Sequence, residues 1–157
     1  MEPKIVTKEA FTVVGIPFKG MVSSGPYDDG ENNNEIGKAW DAFNARAAEV
    51  KHWRGPAIGL CFAMPNQDEP WYIAGAEVSQ AEDVPAGMMA RETPAQKYAV
   101  FECTLPTLSE TYKTIMEEWQ PSSGYERGDG PDFEVYDEKW DMNDPQGSPV
   151  YVYWPIK

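Results

Sequence analysis

Basic charge and the usual catalytic side chains are what this sequence has least of. Its 157 residues hold one histidine, two cysteines, and 13 Lys and Arg against 26 Asp and Glu, a formal net charge of -13. A serine triad would need His52, which stands with Lys51 and Arg54 at the C-terminal end of a predicted helix, where a cation complements the helix dipole. Cys61 and Cys103 sit singly inside apolar strand patterns, so they read as buried free thiols and not as a metal-binding pair. No cluster of metal ligands and no Gly-rich phosphate loop follows a strand, and the reading calls for no cofactor. The shortage of Lys and Arg argues against direct contact with nucleic acid or an anionic membrane, both of which need a basic patch. No apolar run is long enough to span a bilayer, and the N-terminus lacks a signal-peptide segment, so a soluble cytoplasmic protein is expected.

What is present is apolar and aromatic material. A hydrophobic fraction of 41% with 6 Trp and 8 Tyr argues for one folded domain over residues 1–157. Rings in that number must pack or bind something. Residues 117–144 carry ten acidic and two basic side chains, but without the spacing of a calcium loop they read as a solvated face.

Taken in order, Ala10 to Phe18 is β-branched and aromatic and reads as a first strand. Gly20 to Asn34 is a polar loop, either a lid or a plain connection. A helix is expected from an Asn34 N-cap, with Ile36, Trp40, Phe43, Ala47 and Val50 as its apolar stripe, ending before Gly55-Pro56. The stripe makes Trp40 and Phe43 core residues. Strands follow at Ala57 to Met64 and Trp71 to Ser79, and Met88 to Arg91 is a short strand carrying the chain back across the sheet. The order then repeats. Gln96 to Cys103 is a strand, and Thr107 and Glu110 suggest a capping box for a second helix. Its stripe is Leu108, Tyr112, Ile115, Met116 and Trp119, stopping before Pro121. Strands at Asp132 to Lys139 and Pro149 to Ile156 complete the chain.

The predicted fold class is α+β: two pseudo-symmetric strand-helix-strand-strand repeats, about residues 10–80 and 95–157, forming a curved antiparallel sheet with both helices on one face. The expected site is a cleft between the halves. Alternation puts Phe133 and Val135 on one side of a strand and Glu134 and Tyr136 on the other. With the first pair under a helix, the second would meet either water or a cleft suited to a flat organic cation. On the last strand Val150, Val152 and Trp154 share one side and Tyr151 and Tyr153 the other, while Trp71, Ile73, Gly75 and Glu77 share a side of an earlier strand. Gly59 and Gly75 read either as points where a ligand comes close or as bulges.

Several stretches together resemble the GyrI-like effector-binding domain, the ligand-sensing half of multidrug-responsive transcription activators. They are Trp71 to Val78, Tyr98-Ala99-Val100-Phe101, Thr111-Tyr112 leading to Trp119-Gln120-Pro121-Ser122-Ser123-Gly124-Tyr125-Glu126, and Phe133-Glu134-Val135-Tyr136. The resemblance implies a stand-alone form of that domain, with Glu134 as the charged floor of a cleft for lipophilic cations. Tyr136 and a tyrosine of the last strand, Tyr151 or Tyr153, would be its aromatic neighbours. No basic recognition helix precedes the first predicted strand, so direct transcriptional activation is not expected.

The leading function is thus a small-molecule binding protein for aromatic or lipophilic cations, with Glu134, Tyr136, Tyr151, Tyr153, Trp71 and Glu77 as candidate ligand-binding residues. Two alternatives stand beside it. Some relatives implied by the resemblance are hydrolases of strained, cyclopropane-containing DNA-alkylating compounds, and Glu134 with a tyrosine would supply acid-base catalysis there. The other is a protein-interaction module whose acidic surface inhibits a partner such as DNA gyrase.

Overall fold

The computed structural model describes residues 2–18, 31–61, 72–141, 143, 144 and 146–157, with backbone alone for 31–36. Among the described residues, eight strands form one antiparallel sheet: β1 (Lys4–Lys8), β2 (Phe11–Phe18), β3 (Trp53–Cys61), β4 (Tyr72–Val78), β5 (Met89–Thr93), β6 (Gln96–Cys103), β7 (Asp132–Tyr136) and β8 (Val150–Ile156). Helix α1 spans Glu31–Arg46. Helix α2 starts at Leu108–Thr114, widens into a π turn at Ile115–Trp119 and closes with an α turn at Gln120–Ser123. The strand order is β1-β6-β8-β7-β3-β4-β2-β5, antiparallel at every pairing.

That order is symmetric about the β3–β7 seam, and it exchanges strands between the halves. β1 pairs with β6 of the second half, and β5 pairs with β2 of the first. Only Glu9 and Ala10 join β1 to β2, and only Pro94 and Ala95 join β5 to β6. Each link must cover six strand spacings, about 29 Å in a flat sheet, whereas three peptide steps reach about 11 Å. The sheet therefore curls until its ends approach. The register opposes Gly15 of β2 to Gly75 of β4, where a Cβ on Gly75 would lie 2.9 Å from the Gly15 Cα. This close crossing of backbones, and not a ligand or a bulge, is what Gly75 permits.

The inner face of the curl is filled by large apolar side chains. Phe11, Val13, Ile58, Leu60, Ile73, Tyr98 and Phe133 are buried there together, and Phe11 of β2 meets Phe133 of β7 at 5.1 Å. On the outer face α1 packs through Ala39 and Phe43 onto Val14, Phe18, Tyr72, Ala74, Ala76 and Val78. Helix α2 packs through Tyr112 and Ile115 onto Ala99, Phe101, Val152 and Trp154.

Local structure departs from sequence expectation at several points. A strand at Lys4–Lys8 precedes the first one expected, because β1 is a short, largely exposed edge with little apolar alternation, and the repeat bounds near residues 10 and 95 leave out both β1 and β5, the latter expected as a separate short strand. Helix α1 begins at Glu31, so Asn34 lies within it and not at its N-cap position; Asn is only mildly disfavoured inside helices. Gly55 and Pro56 are part of β3, where a register shift between Trp53 and Ala57 absorbs the proline. The capping box is Thr104 with Thr107, one turn ahead of Thr107 with Glu110. Helix α2 runs past Pro121 to Ser123, since its π turn relaxes the backbone bonding that proline would otherwise break. The same turn rotates the stripe, leaving Met116 37% exposed. His52 lies beyond the helix at φ 64°, with Gln80 beside its ring. Both cysteines are free, Cys61 buried and Cys103 partly so. Most of the Gly20 to Asn34 loop and the turn at 65–70 fall outside the described residues.

Glu77 is on the inner side of β4, opposite Val13 in register, where it accepts from Lys8 Nζ at 2.9 Å and Arg54 Nε at 3.0 Å. Burial pushes its carboxyl up, but the two cations outweigh this and hold it below 4.5. The group thus stabilises the fold at neutral pH, and the benefit fades as pH falls below 4.5. Glu77→Gln is expected to cost about 1–2 kcal/mol at pH 7, because the partners are part-exposed. Urea denaturation at pH 7 and pH 3 should find that gap at neutral pH and little of it in acid.

Candidate functional site at the seam of the two halves

The outer face of the β3–β7 seam is the strip between the two helices, and there the register opposes Gly59 to Glu134. Glu134 is 4% exposed. Its Oε1 accepts from the Tyr72 hydroxyl and, at 2.7 Å, from the Tyr136 hydroxyl, while the Tyr112 hydroxyl donates to Oε2 at 3.5 Å. Four elements therefore meet on one carboxylate: β4 brings Tyr72, β7 brings Tyr136, α2 brings Tyr112, and β3 clears the space with Gly59. A Cβ on Gly59 would fall on the Tyr72 ring and within 2.7 Å of Glu134 Oε1. That is why β3 carries glycine here.

Trp40 of α1 completes the site. Its indole Nε1 donates to the Tyr72 hydroxyl at 2.9 Å, and its ring meets Tyr136 edge-on at 5.1 Å. Tyr136 in turn meets Trp140 at 5.0 Å. Sequence reasoning placed Trp40 in the core on the strength of its helical stripe; it has both roles. Nothing local in the sequence marks Tyr72, in a buried strand under α1, or Tyr112, in the apolar stripe of α2, as a neighbour of Glu134.

Burial raises Glu134 to about 7, opposed by donation from Tyr72 and Tyr136 and assisted by Asp132 nearby. Among the described residues no basic side chain bonds to it. Asp132 is engaged by Arg127 Nη2 at 2.9 Å. The Tyr72 and Tyr136 hydroxyls are themselves pushed well above 10, first by burial and then by the charge of Glu134, so they remain neutral donors.

The other sequence candidates lie elsewhere. Glu134 and Tyr136 share the helix-covered face, and Phe133 and Val135 fill the inner curl, the reverse of the expected arrangement. The closed curl demands large apolar groups on its inside, which alternation alone does not reveal. Tyr151 and Tyr153 follow Val135 and Phe133 onto that opposite face: Tyr153 stacks on Phe133 at 4.7 Å, and Lys139 Nζ lies 5.9 Å from the Tyr151 ring centre. Neither reaches the Glu134 carboxylate. Glu77 belongs to its own ion triad, and Trp71 lies outside the described residues.

A doubled, self-curled antiparallel sheet with helices on its outer face is the fold of an effector-binding domain. The chain belongs to the integron-associated effector-binding protein family, whose model matches residues 4–156. It is 37% identical over 160 residues to the transcriptional regulator BrlR of Pseudomonas aeruginosa, an alignment that covers 99% of this chain and 56% of the regulator. The chain thus spans about half the length of that relative. In fold it is similar to SAV2435, solved bound to tetraphenylphosphonium, with a TM-score of 0.73 at 17% identity over 100% of this chain and 94% of that one. It is also similar to an integron cassette protein of Vibrio cholerae, with a TM-score of 0.67 at 12% identity over 100% and 97%. Among the described residues no helix is long and apolar enough to cross a membrane.

The raised carboxyl has a stability consequence of definite sign. The native state holds its proton up to about pH 7, whereas the unfolded chain releases it near 4.5, so the empty protein loses stability as pH rises through that window. The loss approaches about 3 kcal/mol. Glu134→Gln keeps an acceptor for Tyr72 and Tyr136, and should remove this slope and be the more stable protein at pH 8, as read by denaturant midpoints at pH 5 and 8. Gly59→Ala should displace Tyr72 and Glu134 and abolish the elevated titration, checked by carboxyl-detected NMR.

Proposed function

We propose that the chain binds aromatic or lipophilic cations at the β3–β7 seam, with Glu134 as the charge that holds them and Trp40, Tyr72 and Tyr136 as the surrounding rings. The observation that carries this reading is a carboxyl raised to about 7 by burial, whose hydrogen-bond partners among the described residues are uncharged tyrosine hydroxyls, with aromatic edges around it. An unpaired buried acid is costly to keep ionised; a cation placed beside it removes that cost and is held in return. Rings add about 0.5–2 kcal/mol each toward a desolvated cation and tolerate varied shapes, so selectivity would follow charge and flatness more than outline. The tetraphenylphosphonium seen on SAV2435 is a ligand of this kind.

Binding requires the ionised acid and therefore releases a proton wherever the empty site is protonated. Affinity for tetraphenylphosphonium should rise about tenfold per pH unit up to about 7 and level off above it. Trp fluorescence titrations of the wild type between pH 5 and 9 test this, with Glu134→Gln as the charge-neutral control. Loss of binding in Glu134→Gln, with the ligand's mass unchanged after incubation, supports a binding protein. An uncharged analogue bound as tightly as the cation would overturn the proposal.

A further inference from the structure

Glu134 is reached by a chain of donors that begins on α1. Trp40 Nε1 lies 2.9 Å from the Tyr72 oxygen, and Tyr72 bonds onward to Glu134 Oε1. An indole N–H can donate and never accept, whereas a phenol has one proton and two lone pairs. Once Trp40 occupies a lone pair of the Tyr72 oxygen, the single Tyr72 proton is left for the carboxylate.

We propose that Trp40 is a positioning residue of the effector site: its donor-only indole commits the Tyr72 hydroxyl to donate to Glu134, so that α1 is the outermost link of the chain orienting the carboxylate's shell. The inference rests on the reading of this seam as the effector site. A hydroxyl that accepts a hydrogen bond becomes a stronger donor, and donors to a carboxylate favour its ionised form. Trp40 thereby helps keep Glu134 charged enough to meet a cation without touching it. The geometry also couples helix to charge: lifting α1 off the sheet would release Tyr72 and weaken its bond to Glu134.

The described groups facing Glu134 are Tyr72 from β4, Cys61 from β3, Cys103 from β6, raised to about 11 first by burial, Tyr112 from α2, and Asp132 and Tyr136 from its own strand. Burial raises the Cys61 thiol and the Tyr72 and Tyr136 hydroxyls, and Asp132 is tied to Arg127. From the described side chains of α1 the contribution is the neutral Trp40 N–H. A titration between pH 5 and 9 therefore reports Glu134.

The alternative is that Trp40 is only a wall, packed edge-on against Tyr136 and Phe43. A double-mutant cycle separates the two. The midpoint of the Glu134 side-chain carboxyl is followed by carbon-detected NMR, without ligand, in wild type, Trp40→Phe, Tyr72→Phe and the double variant. Trp40→Phe is expected to raise the midpoint by about half a pH unit or more, and to add nothing once Tyr72→Phe is present. An unchanged midpoint in Trp40→Phe, or an equal shift in both backgrounds, would overturn the proposal. If circular dichroism shows Trp40→Phe misfolded, 3-benzothienylalanine at position 40 keeps the ring shape and replaces N–H by sulfur, with the same two outcomes. Tetraphenylphosphonium titration of the wild type stands apart: its failure would sink the cation reading, while the ligand-free midpoints still judge Trp40.

Discussion

Two links of two residues each set the shape of this protein. β1 and β5 sit at opposite ends of an eight-stranded sheet, yet each is tied by a short link to a strand near the other end. Only a strongly curled sheet satisfies both links at once. Curling encloses one face, and an enclosed face must be apolar, which is why Phe11, Ile58, Leu60, Ile73 and Phe133 gather there. The outer face is then left to the two helices, each matched to one half. The strip between them, along β3 and β7, is where a polar group can be buried without breaking either core. Exchange of β1 and β5 also means that neither half is complete alone.

Two buried glutamates show how placement on such a sheet decides chemistry. Glu77 is 6% exposed and Glu134 4%, so solvent access barely distinguishes them. Glu77 meets two cations and is held ionised, lowered despite its burial. Glu134 meets tyrosine hydroxyls, which donate but carry no charge, and it rises to about 7. The first stabilises the fold at the join between edge strand and sheet. The second costs stability at neutral pH, because its burial is offset by hydroxyl donors and by no cation among the described residues.

Much of this plan is legible in the amino-acid order. Periodicity locates both helices, the strand at Gln96–Cys103 to the residue, and the β4 and β8 strands within two residues. The resemblance carried by Phe133-Glu134-Val135-Tyr136 points to Glu134, and membership of the effector-binding family follows from a match over residues 4–156. Less legible are the features without local pattern. β1 is an edge strand whose identity comes from its partner, and the π turn in α2 shifts a stripe that looks regular on paper. Tyr72 is one apolar-looking residue in a fully buried strand, and no spacing rule connects it to Trp40 or Glu134.

The sequence by itself determined the class of fold and the doubled order of elements, because these follow from periodicity; Glu134 stood out only through the family resemblance, since alternation alone left it facing either water or a cleft. The tertiary structure alone decided which face of each strand is inside. Alternation assigns residues to two sides without labelling them, and the label comes from the direction of the curl. That choice put Tyr151 and Tyr153 on the face opposite Glu134 and gathered Trp40, Tyr72 and Tyr112 on its own face, residues from three separate elements that meet only when the helices settle on either side of the seam.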